Sequence, residues 1–236
     1  MFFSVNRMYF VVKLILFICF LTIVYQYLNG VNLPNNTSNY DSQKFPRSLS
    51  IDKHKHAPFD DILGIASDNV AAYSNGNDSY VSHVDSYLNK VYMGIKWQCV
   101  EYARRWTYLR KGATFQSVIG ASDIWNQIEF IQRVEDKREF PLKKHSNGSP
   151  NLPLKNSYLI YPVQNDMPFG HVAVIVEVLP NAIRIAEQNF YFHYWSNDYA
   201  REIPIVERNG LFYIQDKYEV YGWMEIIDPQ QQLKTY

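Results

Sequence analysis

Beyond Pro150 the chain is a succession of short apolar or alternating stretches, at 158–161, 171–179, 182–189, 203–207, 211–215 and 221–227, each of strand length. Asn209-Gly210, between two of them, is a hairpin-turn pair because both residues tolerate the left-handed conformation that a two-residue turn demands. Ahead of this run the period changes. Cys99, Tyr102, Ala103, Trp106 and Leu109 recur at helical spacing, with Gly112 as a stop signal, so the spacing predicts a helix over 99–111. Ile124, Trp125, Ile128 and Ile131 predict a second helix over 121–132, with Ser122 as its N-cap. Helical segments followed by antiparallel strands specify an α+β fold, with N-terminal helices packed on an antiparallel β-sheet.

At 236 residues and 47% hydrophobic content the chain can bury a large core, and its length suits one domain with appendages. The 23 basic and 23 acidic side chains cancel, so the sequence lacks the basic surface that binding to nucleic acid requires; no nucleic acid partner is expected.

The N-terminus reads as a targeting segment. Arg7 and Lys13 flank an apolar run that ends at Leu28, and from Met8 the stretch reaches the ~20 residues needed to cross a bilayer if Lys13 snorkels to the headgroups. Residues 1–31 are therefore expected to be a signal anchor, since no A-x-A spacing follows Leu28, with a cleaved signal peptide as the alternative. The positive-inside rule then puts the rest of the chain in the lumen or outside the cell, anchored to the membrane or secreted. Asn35, Asn36, Asn77 and Asn147 stand in N-x-S/T triplets that such a location would expose to glycosylation. Residues 32–57, rich in Asn, Ser, Asp and Lys without an apolar period, are expected to be a flexible linker to a domain over 58–228, and 229–236 a C-terminal tail.

Cys19 lies within the apolar run, which leaves Cys99 alone in the folded part, unable to form an internal disulfide or a multi-thiolate zinc site. A lone cysteine is most often a buried small hydrophobe. At the start of a helix, however, unpaired N–H groups and the positive end of the macrodipole favour the thiolate, as a nucleophile needs. His171 follows Gly170 at the mouth of an apolar strand, and Glu187 interrupts an apolar pattern on the next, where a buried carboxylate needs a partner. Side-chain parity puts His171 and Glu187 on one face only if the hairpin has a three-residue loop such as 179–181, or a bulge; a two-residue turn at Pro180-Asn181 would separate them. Brought together, Cys99, His171 and Glu187 supply a thiolate, a base and a carboxylate that orients the base, and Gln98 could add an amide donor near an oxyanion. His54, His56, His83, His145 and His193 have no convincing ligand spacing, so no metal site and no cofactor are expected.

The segments Tyr92-Met93-Gly94, Lys96 to Arg105 (KWQCVEYARR), Asn147-Gly148-Ser149-Pro150, Gly170-His171-Val172-Ala173, Arg184 to Asn189 (RIAEQN) and Gly222-Trp223-Met224 together resemble the CHAP amidase domain of glutathionylspermidine synthetase/amidase and trypanothione synthetase. The resemblance covers residues 58–228. It implies a papain-like fold, with Cys99 as nucleophile, His171 as general base and acid, and Glu187 as third member. It also implies that Arg104 binds the substrate's carboxylate end and that Gln98 and Asn189 line the site. The reaction it implies is amide hydrolysis through a thioester on a small peptide-like or polyamine-conjugate substrate such as glutathionylspermidine. Those relatives continue into an ATP-dependent ligase domain absent here, so synthetase activity is not expected. Cleavage of peptidoglycan cross-bridges and a catalytically silent binding module are the alternatives.

Overall fold

The apolar strands after Pro150 assemble around a tyrosine-rich central strand that is covered on both faces. The computed structural model describes residues 56–77 and 79–228, so the readings of residues 1–31 as an anchor, of most of the 32–57 linker and of the 229–236 tail lie outside the described residues. In chain order the strands are β1 (Ile62–Ile65), β2 (Ala71–Tyr73), β3 (Asp85–Leu88) and β4 (Val91–Ile95), followed by helix α1 (Cys99–Lys111). Then come β5 (Ala113–Thr114), helix α2 (Ser122–Gln127), β6 (Phe130–Arg133), β7 (Glu139–Ser146), β8 (Tyr158–Tyr161), β9 (His171–Leu179), β10 (Ala182–Ala186), β11 (Arg201–Arg208), β12 (Leu211–Ile214) and β13 (Gly222–Ile226). Nine strands form one antiparallel sheet in the order β12-β11-β10-β9-β8-β13-β7-β6-β5, and two separate hairpins, β1-β2 and β3-β4, precede α1.

Alternation along β8 explains why it reads as a continuous apolar run. Tyr158 and Ile160 join Val172, Val174 and Val176 of β9 on one face, where Tyr102, Ala103 and Trp106 of α1 pack. Leu159 and Tyr161 point the other way, with Ala173, Ile175, Ile183, Ile185, Ile203 and Trp223, and connecting segments close this face with Met167, Phe190, Tyr218 and Val220. A strand buried on both sides has no polar positions to betray its period. Helix α1 ends as its sequence requires. Gly112 adopts φ 63°, and its N–H returns to the Tyr108 carbonyl at 2.8 Å.

Four features differ from the sequence-based expectations. The second helix stops at Gln127; Ile128 is already extended, and 130–133 form a strand between β5 and β7. The pair Ile128 and Ile131, three apart, suits a helix, but β-branched Ile131 buries equally well between its outward neighbours on a strand. Ser122 is the first helical residue and caps nothing; the Asp123 carboxylate instead accepts from the Gly120 N–H at 3.0 Å. The α+β class stands and α1 packs on the sheet, but helices are few, and the stretch before Cys99 is built of two hairpins. Finally, packing begins before Pro58, because Ala57 is fully buried and its N–H donates to the Phe192 carbonyl at 2.7 Å.

The β9-β10 hairpin decides the geometry downstream. Leu179 pairs with Ala182, so the turn is the two-residue Pro180-Asn181 type. Val178 faces Ile183 and Glu177 faces Arg184, but Ile185 faces Ile175, which leaves Val176 as an extra residue in β9. Without this bulge, continued pairing would set Glu187 opposite Val174 and on the face away from His171. With it, Ala186 pairs with Val174, and Glu187 continues opposite Ala173, two residues from His171 and on its face.

Gly222 opens β13 at φ 145°, and a Cβ there would overlap the His145 carbonyl oxygen across the β7-β13 ladder. Gly222→Ala is expected to cost roughly 1–3 kcal/mol from the backbone conformation alone, with the clash added. Urea unfolding would show a lower midpoint with unchanged slope, and a midpoint equal to the parent's would disprove this account of the ladder.

Candidate active site

Three segments meet where α1 abuts the sheet. Cys99 is the first residue of α1, half-buried, and its N-cap Gln98 is extended and makes no side-chain cap, so the first-turn N–H groups stay available. His171 is the first residue of β9 and 2% exposed. It is aimed by Gly170, whose φ of 67° and close approach to the Tyr161 carbonyl and the Ser122 N–H exclude any side chain there. Glu187 follows β10 directly and is 3% exposed.

The imidazole Nε2 of His171 lies 2.9 Å from Glu187 Oε2, which leaves Nδ1 for the Cys99 sulfur, and the thiol and imidazole are hydrogen-bonded side chain to side chain. Burial would push the Cys99 thiol up, but the bond to His171 and its charge, with the Val172 and Val100 backbone N–H groups, hold it below its ordinary value. Burial works against the imidazolium too. Its bonds to Cys99 and Glu187 outweigh that and raise His171 to about 9. Glu187 is lowered to about 2: burial opposes its ionisation, and the Arg201 charge, then the His171 bond, overcome it. Thiol down, imidazole up and carboxylate down are shifts that all favour a thiolate–imidazolium pair leaning on a carboxylate.

Arg201 of β11 grips both oxygens of that carboxylate, through Nε to Oε1 and through Nη2 to Oε2 at 3.1 Å. Its Nη1 reaches Asp216 at 2.7 Å, and the Tyr161 hydroxyl donates to the same Asp216 oxygen at 2.7 Å. Sequence reasoning missed Arg201, Asp216 and Tyr161. Neither Arg201 at a strand start nor Asp216 in a loop shows any local pattern, and Tyr161 reads as core.

The two residues after Glu187 fasten the helix to the sheet. Gln188 Nε2 donates to Glu101 Oε2 of α1 at 3.0 Å and to the Gln98 carbonyl at 3.2 Å, while its Oε1 accepts from the Tyr73 N–H at 2.8 Å. Glu101, fully buried, also accepts from Arg105 Nε at 2.8 Å and from the Ser86 hydroxyl at 2.9 Å. Asn189, at φ 57°, donates to Gln98 Oε1 at 2.8 Å, and Gln98 Nε2 donates to Asn75 at 3.3 Å. Gln98 and Asn189 therefore stand beside Cys99 as a held amide pair, and a second N–H of the Gln98 amide is available to a ligand.

Arg104 is set apart from this line. Its Nη1 donates to the Phe115 carbonyl and its Nη2 to the Tyr92 carbonyl at 2.8 Å, between the rings of those two residues. It borders a separate groove with Thr114, Gln116, Gln127 and Glu129 that does not include Cys99, His171 or Glu187. The expected direct carboxylate anchor is thus engaged with backbone instead. Among the described residues no three His, Cys, Asp or Glu side chains converge to hold a metal ion. Of the triplets for glycosylation, Asn77 is exposed, whereas the Asn147 amide is bound to both backbone groups of Ile214.

A cysteine at a helix start, facing a strand-borne histidine and carboxylate, is the arrangement of a papain-like thiol hydrolase. Residues 90–189 match the CHAP domain family, and the matching span holds Cys99, His171 and Glu187. The chain is 35% identical over 181 residues to the bifunctional glutathionylspermidine synthetase/amidase of Escherichia coli, with 71% of this chain and 29% of that protein covered. It is 33% identical over 168 residues to the trypanothione synthetase of Crithidia fasciculata (71% and 26% covered), and 30% identical over 193 residues to that organism's glutathionylspermidine synthase (73% and 27%). The chain thus spans less than a third of the length of these relatives. Family and relatives together support an amidohydrolase.

Two linked groups set the pH dependence of stability. Glu187, depressed to about 2, contributes stability that is present above the unfolded carboxylate value near 4.3 and lost as pH falls toward 2. His171, raised to about 9, contributes stability that is full below about 6.5 and lost as pH rises through 9. The urea midpoint is expected to climb from pH 2 to 4.5. Above pH 6.5 the lowered Cys99 thiol offsets the raised imidazole in the parent, because the folded pair and the unfolded pair then carry the same number of protons; in Cys99→Ala that offset is gone and the midpoint should decline as pH rises above 6.5. Adding His171→Gln should remove that decline, and a decline that persists unchanged in the double variant would show the assignment to be wrong.

Proposed function

We propose that the chain is a cysteine amidohydrolase that cleaves an amide through a thioester, with glutathione–polyamine conjugates as its substrate class. The observation that carries the reaction is the buried His171–Glu187 bond with the Cys99 thiol on the other side of the ring. What supports the substrate class is the likeness to proteins named glutathionylspermidine synthetase/amidase and glutathionylspermidine synthase, over the part of them that this chain spans.

The steps follow from the residues. The Cys99 thiolate attacks the amide carbonyl carbon, and the C=O π electrons move onto oxygen. That oxyanion is met by the N–H groups at the start of α1 and by the free N–H of the Gln98 amide. Collapse of the tetrahedral species breaks the C–N bond as His171 gives its proton to the leaving nitrogen, so the amine departs neutral and a thioester remains. Now neutral, His171 takes a proton from water, whose oxygen attacks the thioester. The acid leaves, and the Cys99 thiolate and His171 imidazolium are restored. Throughout, Glu187 holds the ring so that Nδ1 faces sulfur, and it stabilises the imidazolium each time that it forms.

The test is release of free spermidine from glutathionylspermidine by the full chain, with muropeptides assayed in parallel. Cys99→Ala should abolish release, and His171→Ala should lower kcat/KM at least about thousandfold. In parallel, iodoacetamide labelling of the Cys99 peptide, followed by mass spectrometry because Cys19 is also present, should be fast in the parent near neutral pH and slow in His171→Ala. Cleavage of muropeptides with the conjugate untouched would move the substrate to cell-wall peptides. Equal labelling in parent and His171→Ala, with no turnover of either substrate, would sink the enzyme reading in favour of a silent binding module.

A further inference from the structure

We infer that Arg201 is a positioning residue for the Cys99–His171 pair, acting through Glu187 and itself fixed by Asp216 and Tyr161; this rests on the amidohydrolase reading above. The grip is two-pronged. Nε and Nη2 of Arg201 take the two oxygens of Glu187, so the plane of the carboxylate is set and Oε2 is presented to His171 Nε2. A carboxylate with a single partner can turn about its last bond, whereas one held side-on by a guanidinium cannot do so without breaking both bonds.

Arg201 is itself over-determined. Its Nη1 is held by Asp216 at 2.7 Å, its Nη2 also donates to the Tyr161 hydroxyl at 3.1 Å, and the Phe190 ring lies 4.1 Å from the guanidinium carbon. The same Phe190 ring stands 4.9 Å from the imidazole of His171, so one aromatic surface braces both partners of Glu187. Along this line formal charges alternate: thiolate, imidazolium, Glu187, Arg201, Asp216.

Charge also requires Arg201. Facing Glu187 are His171 from β9, Tyr161 from β8, Arg201 from β11, Asp216 from the loop after β12, and Tyr102 from α1, with Cys99 beyond the imidazole. Of these, Arg201 is the permanent cation. Without it, a carboxylate buried to 3% exposure would lean toward its neutral form, and a neutral Glu187 would no longer stabilise the imidazolium that keeps Cys99 ionised.

The experiment measures the rate at which iodoacetamide alkylates Cys99 in the full chain as a function of pH, read on the Cys99 peptide. It needs no substrate. In the parent the rate should rise at a pH well below that of an ordinary thiol. Arg201→Gln should move that rise upward by about one pH unit, which is a roughly tenfold loss of thiolate on the acid side. Arg201→Lys, which keeps the charge but not the fork, should move it upward by less. Glu187→Gln should produce a comparable shift, and adding Arg201→Gln to it should change nothing further, because Arg201 acts through that carboxylate. Circular dichroism melts establish which variants fold. If Arg201→Gln does not, Arg201→Lys decides: an upward shift supports the inference and a profile overlaying the parent's overturns it. A merely structural arginine would lower stability with the profile in place, and that result overturns the inference while the amidohydrolase reading stands. An ordinary-thiol profile in the parent overturns both.

Discussion

A carboxylate withdrawn from water survives only where donors and cations replace its hydration, and Glu187 has replaced it completely. His171 of β9 and two nitrogens of Arg201 of β11 surround its oxygens. The bond to His171 fixes which ring nitrogen is left for the Cys99 sulfur. The bonds to Arg201 draw β11 and the Asp216 loop into the same cluster. Because the cluster joins the ends of β8, β9, β10 and β11, the register of the sheet and the chemistry of the thiol are one problem, solved by the extra residue at Val176.

A second buried carboxylate repeats the arrangement on the helix side. Glu101 is fully buried and is held by Arg105, Gln188 and Ser86, three partners from three parts of the chain. Arg105 in turn lies over the rings of Tyr73, Trp97 and Tyr102. Buried pairs of this kind contribute little net stability over apolar packing, while removing one partner costs roughly 3–5 kcal/mol. Their value here is specificity of placement. Glu187 holds the His171 ring, Gln188 clamps the helix that carries Cys99, and Asn189 holds the Gln98 amide next to it. Three consecutive side chains thus set three parts of the site relative to one another, which a strand end can do because its residues have left the ladder and their directions are no longer forced to alternate.

What could be read from the amino-acid order divides along physical lines. Helix α1, β8 and β9 were legible to the residue, because period, length and stop signals all agree there. The Asn209-Gly210 turn was legible as well: φ values of 54° and 76° are those of a two-residue hairpin, and Arg208 pairs with Leu211. The hairpins before Cys99 were not, since strands of three to five residues with mixed polarity carry too few positions for a period to show. The helix drawn through 128–132 failed where a 3–4 spacing of isoleucines fits either period. For the site, parity reduced the choice to a longer loop or a bulge but could not select between them, because a bulge leaves no mark in a run of valines and isoleucines. Arg201, Asp216 and Tyr161 escaped for a different reason: their meaning lies entirely in contacts between residues 40 and 55 positions apart or in neighbouring strands, and no local rule reports those.

Arg104 and Arg201 make the converse point about arginine. The resemblance singles out Arg104, five residues after Cys99 on the same helix, and passes over Arg201, a strand residue like any other. An α-helix turns about 100° per residue, so five residues carry a side chain well over a third of the way round the axis from where it began. Arg104 accordingly looks toward β4 and β5, where two backbone carbonyls and two rings receive it. A strand that pairs with β10 in register, Ile185 opposite Arg201, has no such freedom: its first side chain must stand beside the segment that leaves β10, and that segment begins with Ala186 and Glu187. The resemblance implied a substrate contact for Arg104, whereas pairing across the ladder sets Arg201 against the carboxylate that holds His171.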